Sequence, residues 1–219
     1  MHNLNLFNDP TQHPDVKIEM RRMYRTWGRH AKQAYGINKN LLDKILAATD
    51  NSLKGLRDRG NLIVAHDSLC RKSELVSLEL EDVLMNEENG SVKLKLRKSK
   101  TDPHAKGRWL YLNSKAKVAL KNWIHMSKLK SGKLFRSVTS SGKIKEGLNS
   151  AQINRIYKKA AMISNLDTDI IAKISGYSMR VGAAQDLLLS GATLPILMNR
   201  GRWSKTDTVM RYIELVNIT

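Results

Sequence analysis

The stretch SGYSMRVGAAQDLLLSGATLPILMNRGRWSKTDTVMRYI, residues 175–213, decides how this chain is read. Its punctuation predicts three short helices. Ser178 caps the first, whose apolar positions Val181, Ala184, Leu187 and Leu188 fall on one face, and Gly191 stops it. Thr193 caps the second, which tolerates Pro195 in its first turn and ends at Gly201. Ser204 caps the third, which carries Tyr212. Arg180 lies beside a Gly-Ala-Ala run that permits close packing, and Trp203 sits at a turn. An arginine, an indole donor and a phenol on one small helical unit point to phosphate chemistry with tyrosine as nucleophile.

Outward from that stretch, composition narrows the class. The 219 residues carry 38 Lys+Arg against 20 Asp+Glu, a net charge of +18, and are 41% hydrophobic. That is enough apolar material for a sizeable core, and the charge favours a polyanionic partner, nucleic acid first. The single cysteine, Cys70, excludes an internal disulfide and a Cys-rich zinc site. The six histidines show no ligand spacing, so no metal is expected. No apolar run reaches a membrane span and no signal peptide opens the chain, so the expected compartment is cytoplasmic.

The remaining chain reads as mainly helical with one small antiparallel sheet. Residues 1–14 are polar and extended, and a basic helix runs from Asp15 to about Ala34. Residues 35–40, with Gly36, form a linker, which divides the chain into a segment 1–36 and a domain 37–219. Asn40 caps a helix through Ala48, and a longer one runs from about Ser52 to Cys70. Arg71 ends that helix, Ser73 caps the next, and Glu74, three residues on, is placed to hold the Arg71 guanidinium. The alternation of Val92, Leu94 and Leu96 with basic residues marks a strand, with Asn89-Gly90 as the turn before it. Residues 108–112 form a second strand, and between the two lies a basic loop with Lys100 and Lys106. Ser114 caps a helix to about Met126, Leu134-Phe135 tucks into the core, and another helix runs from Asn149 to Met162. Residues 166–174 carry no decisive pattern.

Three blocks, in order, resemble the catalytic domain of the tyrosine recombinases, the phage integrase family, with the nearest look to its Cre-type members. SLCRKSELVSLELEDV resembles the first-arginine block, with Arg71 and Glu74 on its arginine and acidic positions. RKSKT in the hairpin resembles the lysine block and places the lysine at Lys100. SGYSMRVGAA with GRWSKTDTVMRYI puts Arg180 on the second arginine, Trp203 on the His-or-Trp position, and Tyr212 on the nucleophile nine residues later. The resemblance departs at Tyr177, where the family usually has histidine. It also departs in length, because the segment 1–36 looks like the tail of the helical core-binding domain that usually precedes the catalytic one.

What the resemblance implies is site-specific cutting and rejoining of double-stranded DNA through a 3′-phosphotyrosine, with neither metal nor other cofactor. Arg71 and Arg180 would fork onto the non-bridging phosphate oxygens, and Trp203 would add a neutral donor; such donors are typically worth about 3–4 kcal/mol each in a transition state. Lys100 would protonate the departing 5′ oxygen. Tyr177 stands where an imidazole would take the nucleophile's proton, although a phenol of pKa about 10 is a weak base near neutrality. Arg97, Lys98, Lys106 and Arg202 are expected to contact DNA. The expected assembly is a tetramer on DNA and a monomer when free. A type IB topoisomerase, or a DNA-binding relative with impaired catalysis, stands as the alternative.

Overall fold

The computed structural model describes residues 10–28, 33–86, 88, 91–98, 106–214 and 216. The chain forms two units, Met1–Gln33 and Ala34–Thr219. In the first, a short 3-10 turn (Pro10–Gln12) precedes helix α1 (Pro14–Trp27), which has no buried residue. The helix is shorter than predicted because Gly28, at φ 74°, leaves the helical region.

The second unit holds nine helices and three strands among the described residues: α2 (Lys39–Ala48), α3 (Leu53–Ser68), α4 (Lys72–Ser77), β1 (Val83–Met85), β2 (Val92–Leu96), β3 (Arg108–Leu112), α5 (Ser114–Ser127), α6 (Ser150–Ile163), α7 (Thr168–Lys173), α8 (Ser178–Leu189), α9 (Leu194–Gly201) and α10 (Thr206–Ile213). The mainly helical class with one small antiparallel sheet is therefore as read from sequence. The strands lie in the order β1-β2-β3, with Leu94 opposite both Val83 and Leu110. Val92, Leu94 and Leu96 face the core, while Lys93 and Lys95 lie over the exposed rings of Tyr111 and Trp109 at 5.5 and 5.9 Å. The predicted Asn89-Gly90 turn lies outside the described residues.

Several caps sit one or two residues from where sequence placed them. Asn38, not Asn40, caps α2 through Leu41 N. Asn113, not Ser114, caps α5 through Ala116 N. Lys205, not Ser204, precedes α10, and Thr193 stands at the start of α9 without a side-chain cap bond. Ser178 is the first residue of α8 because its hydroxyl accepts the Ser175 N–H at 2.9 Å, closing the turn before the helix, so Tyr177 occupies the cap position. α3 ends at Ser68, and Leu69 adopts the left-handed conformation at φ 51°. Arg71 then begins α4 instead of ending α3, and Ser73 lies inside that helix. Asp167, accepting from Asp169 N, starts the short helix α7 in the stretch without a clear pattern.

Buried apolar residues divide into two clusters. The larger joins α2–α7 and Met179 of α8 to the inner face of the sheet, with Leu62, Leu75, Leu94, Trp123, Leu134, Phe135 and Ile153 fully or almost fully buried. Trp123 donates its indole N–H to Leu134 O at 2.8 Å inside it. The smaller consists of Leu69, Ala183, Ala184, Leu197, Trp203 and Val209, contributed by the end of α3 and by α8–α10. Between them, α8 lies so close to the residue 35–38 segment that a Cβ on Gly182 would fall 1.9 Å from Ile37 O. Only glycine permits that approach.

Candidate active site

The left-handed turn at Leu69 carries the chain from α3 to Arg71. There the Glu74 carboxylate accepts the Arg71 backbone N–H at 2.9 Å and its Nη1 at 2.8 Å. Glu74 is buried, while the Arg71 side chain keeps 21% of its surface exposed. Leu75, one residue further, is buried in the larger core and fixes α4. The ion pair read from sequence is thus present, on a helix start instead of a helix end.

Arg180 projects from the first turn of α8 and is 1% exposed. Its Nη1 donates to Leu69 O and its Nη2 to Gly201 O. Its guanidinium carbon stands 4.4 Å from the centre of the Trp203 ring. Burial first, then the neighbouring Arg71 and Arg202 guanidiniums, bring its pKa down to about 10, so it stays charged at neutral pH. Trp203 in turn meets Tyr212 edge-on, with ring centres 5.5 Å apart and planes at 65°. The Trp203 ring fills space that Gly201 leaves open; a Cβ there would fall 1.9 Å from a ring carbon. Tyr212 rides on α10, which is held by buried Val209 and by Gln185 Nε2 donating to Tyr212 O at 3.3 Å.

The geometry brings Arg180, Trp203 and Tyr212 into one stack and sets Arg71 close enough to depress the Arg180 pKa. Lys100 lies outside the described residues. Tyr177 is 48% exposed at the start of α8, whereas Arg180 is buried. Arg97 is engaged by the carboxylates of Asp82, at 2.6 Å, and Glu79, which the turn before β1 places beside it. Lys98 and Lys106 are exposed.

Arg202 corrects the sequence reading outright. Expected on the DNA-facing surface, it is 7% exposed, and its Nη2 pairs with Glu74 Oε2 at 2.9 Å. Both guanidinium nitrogens at its tip also donate to backbone carbonyls, which sequence gives no means to foresee. A second link unseen in the sequence runs from Arg108 on β3 to the Asn199 amide oxygen on α9, bringing the hairpin against the Trp203 segment.

Three guanidiniums, Arg71, Arg180 and Arg202, therefore crowd around Glu74, leaving positive charge in excess of this one carboxylate. Such an arrangement is costly without an anion and suited to receive one. Cys70, buried in the same turn, has its thiol pushed up by burial, which makes it a packing group. Among the described residues no group of three or more His, Cys, Asp or Glu is placed to hold a metal, and no helix is long and apolar enough to cross a membrane.

The chain matches the phage integrase family over residues 36–217. It is 25% identical over 225 residues to the recombinase cre of Escherichia phage P1, covering 94% of this chain and 64% of that protein. It is 27% identical over 176 residues to an integrase/recombinase xerD homolog of Selenomonas ruminantium, covering 77% of this chain and 50% of that protein. In fold it superposes on the XerH site-specific recombinase bound to palindromic difH substrate in a post-cleavage complex, with a TM-score of 0.67 at 18% identity over 85% of this chain and 51% of that one. The chain thus spans less than two thirds of the length of the curated relatives it matches.

Proposed function

We infer, from the premise that this chain belongs to the phage integrase family, that it is the catalytic part of a site-specific DNA recombinase. Tyr212 attacks a backbone phosphate in line, a 5′ hydroxyl leaves, and a 3′-phosphotyrosine stores the bond until another strand's 5′ hydroxyl reverses the step. Arg71, the more exposed guanidinium, meets the phosphate first, held by Glu74. Arg180 supplies charge from behind, oriented by two carbonyls and the Trp203 face. Lys100 is the proposed acid for the leaving oxygen and Tyr177 the rim residue in the usual histidine position.

The substrate is a DNA duplex, gripped along its backbone by the basic surface that includes Lys98 and Lys106, and the working assembly is a tetramer on that duplex. Residues 1–36 are proposed as the tail of a core-binding domain, and 37–219 as the catalytic domain. The single observation that carries the reading is the cluster of three guanidiniums with the Trp203–Tyr212 stack against it. The relatives' names favour recombination over the topoisomerase alternative.

The test is covalent capture on nicked duplexes of randomised sequence, in which the nick traps the adduct. Wild type is expected to form a protein–DNA adduct resistant to denaturation, and sequencing the captured DNA identifies the site. An adduct that persists in Tyr212→Phe would overturn the assignment.

A further inference from the structure

The reaction just described has no task for Arg202, yet the fold makes costly provision for it. Its backbone is left-handed, with φ 56° and ψ 46°, a conformation that residues with a Cβ disfavour and glycine adopts freely. Its charge is buried, and its Nε finds no acceptor among the described residues. The contacts that compensate mostly lie on another part of the chain. Nη1 donates to Ser68 O at 3.1 Å and to Arg200 O at 3.3 Å. Nη2 donates to Leu69 O at 3.0 Å and to Glu74 Oε2 at 2.9 Å.

Three of those four acceptors belong to the junction from the end of α3 into α4, residues 68–74, that presents Arg71. Glu74 is a shared socket, with Oε1 on the Arg71 guanidinium and Oε2 on that of Arg202. Leu69 O is shared too, accepting from Arg202 and from Arg180. A planar fork reaches such divergent acceptors at once; a lysine ammonium, a point charge on a flexible stem, does not.

We propose that Arg202 is a positioning residue, a guanidinium bolt that locks the segment carrying Trp203 and Tyr212 to the turn carrying Arg71 and Glu74. It acts through those contacts and not on the phosphate itself. Its effect is to hold the phenol and the Arg71 fork at a fixed separation, which in-line transfer requires. The catalytic consequence rests on Tyr212 being the nucleophile; the mechanical one does not.

The test uses the full chain with Arg202→Gly, Arg202→Met and Arg202→Lys. Glycine suits the left-handed backbone, so its variant removes the guanidinium without adding strain. The four tryptophans, Trp27, Trp109, Trp123 and Trp203, give four fluorine resonances after 5-fluorotryptophan labelling. The Trp203 resonance is expected to shift and broaden in the Gly and Met variants while Trp123 stays put. On randomised nicked duplexes, single-turnover adduct formation should fall about 100-fold in those two variants, the cost of an ångström-scale misplacement, with DNA affinity within about twofold of wild type. Lysine should restore only part of the rate.

An unmoved Trp203 resonance together with a wild-type rate in Arg202→Gly would overturn the bolt. So would a steep loss of affinity at unchanged rate, which is the signature of a phosphate contact. If wild type forms no adduct, the nucleophile assignment falls by itself. The fluorine spectrum then decides the bolt alone, and an unmoved Trp203 line refutes it.

Discussion

The two hydrophobic clusters hold the two halves of the proposed site, and they are unequal. Arg71 and Glu74 sit at the start of α4, pinned by Leu75 into a core shared by seven helices and the sheet. Trp203 and Tyr212 belong to the small cluster around Leu69, Leu197 and Val209, where three short helices pack on one another. A region with few buried apolar groups opens locally at lower free energy than one embedded in the main core. The Arg71 half is therefore the anvil of the site and the Tyr212 half its movable part. α8 joins them through Met179 on one side and Ala183 and Ala184 on the other, and so do polar contacts: Arg180 and Arg202 donating to Leu69 O, and Arg202 to Glu74. A nucleophile carried on the weaker cluster is thereby kept in register with the stronger one by charge-assisted bonds.

The largest effect expected separates chemistry from either cluster. Tyr212→Phe keeps the ring against Trp203 and should leave stability within about 0.5 kcal/mol. Adduct formation should fall on the order of 10⁶-fold, which a denaturing gel reads as none. Next comes the larger core. Trp123→Ala removes a fully buried side chain and leaves Leu134 O without its donor, and is expected to cost about 3–5 kcal/mol in urea unfolding. Leu197→Ala, in the smaller cluster, should cost about 2 kcal/mol, the low end for such a truncation because short helices can close on the gap. Its signature is regional. Amides of α9 and α10 should exchange faster while those of α5 and α6 keep their protection. Uniform loss of protection across all four helices would dissolve the distinction between the clusters.

Much of this organisation is legible in the sequence. Alternation of Val92, Leu94 and Leu96 located the strand, and the apolar spacing and punctuation of residues 175–213 located α8–α10. Caps were misplaced by a residue or two because Ser, Thr and Asn cluster at helix starts, and composition does not say which hydroxyl or amide turns inward. Ser178 illustrates it, its oxygen closing the preceding turn. Within the site, the Arg71–Glu74 pair was visible because it is local. Arg202 was not. An arginine next to Gly201 in a basic chain reads as a surface charge, and its acceptors are backbone carbonyls more than a hundred residues earlier. Carbonyls carry no residue-type signature, so nothing in the pattern marks them as destinations.

The smallest stability cost expected of the packing substitutions tests how the weaker cluster yields. In Gly201→Ala the new methyl would overlap the Trp203 ring, at 1.9 Å from its nearest carbon. Something must move, and the candidates differ in cost. Shifting the α9 backbone would disturb Arg180 Nη2, which is bonded to Gly201 O, and Arg202, which is bonded to the α3–α4 turn. Swinging the Trp203 ring gives up its stacking on Arg180, its edge contact with Tyr212 and part of its burial in the smaller cluster, but leaves those bonds intact. The ring is therefore expected to leave, for an overpacking cost near the low end, about 1 kcal/mol in global stability. The stack would nonetheless be broken, and adduct formation should fall about 100-fold from the misplacement of the phenol. A loss of 3 kcal/mol or more with the Trp203 fluorine resonance in place would mean that the backbone gave way first. The small cluster would then be as rigid as the large one.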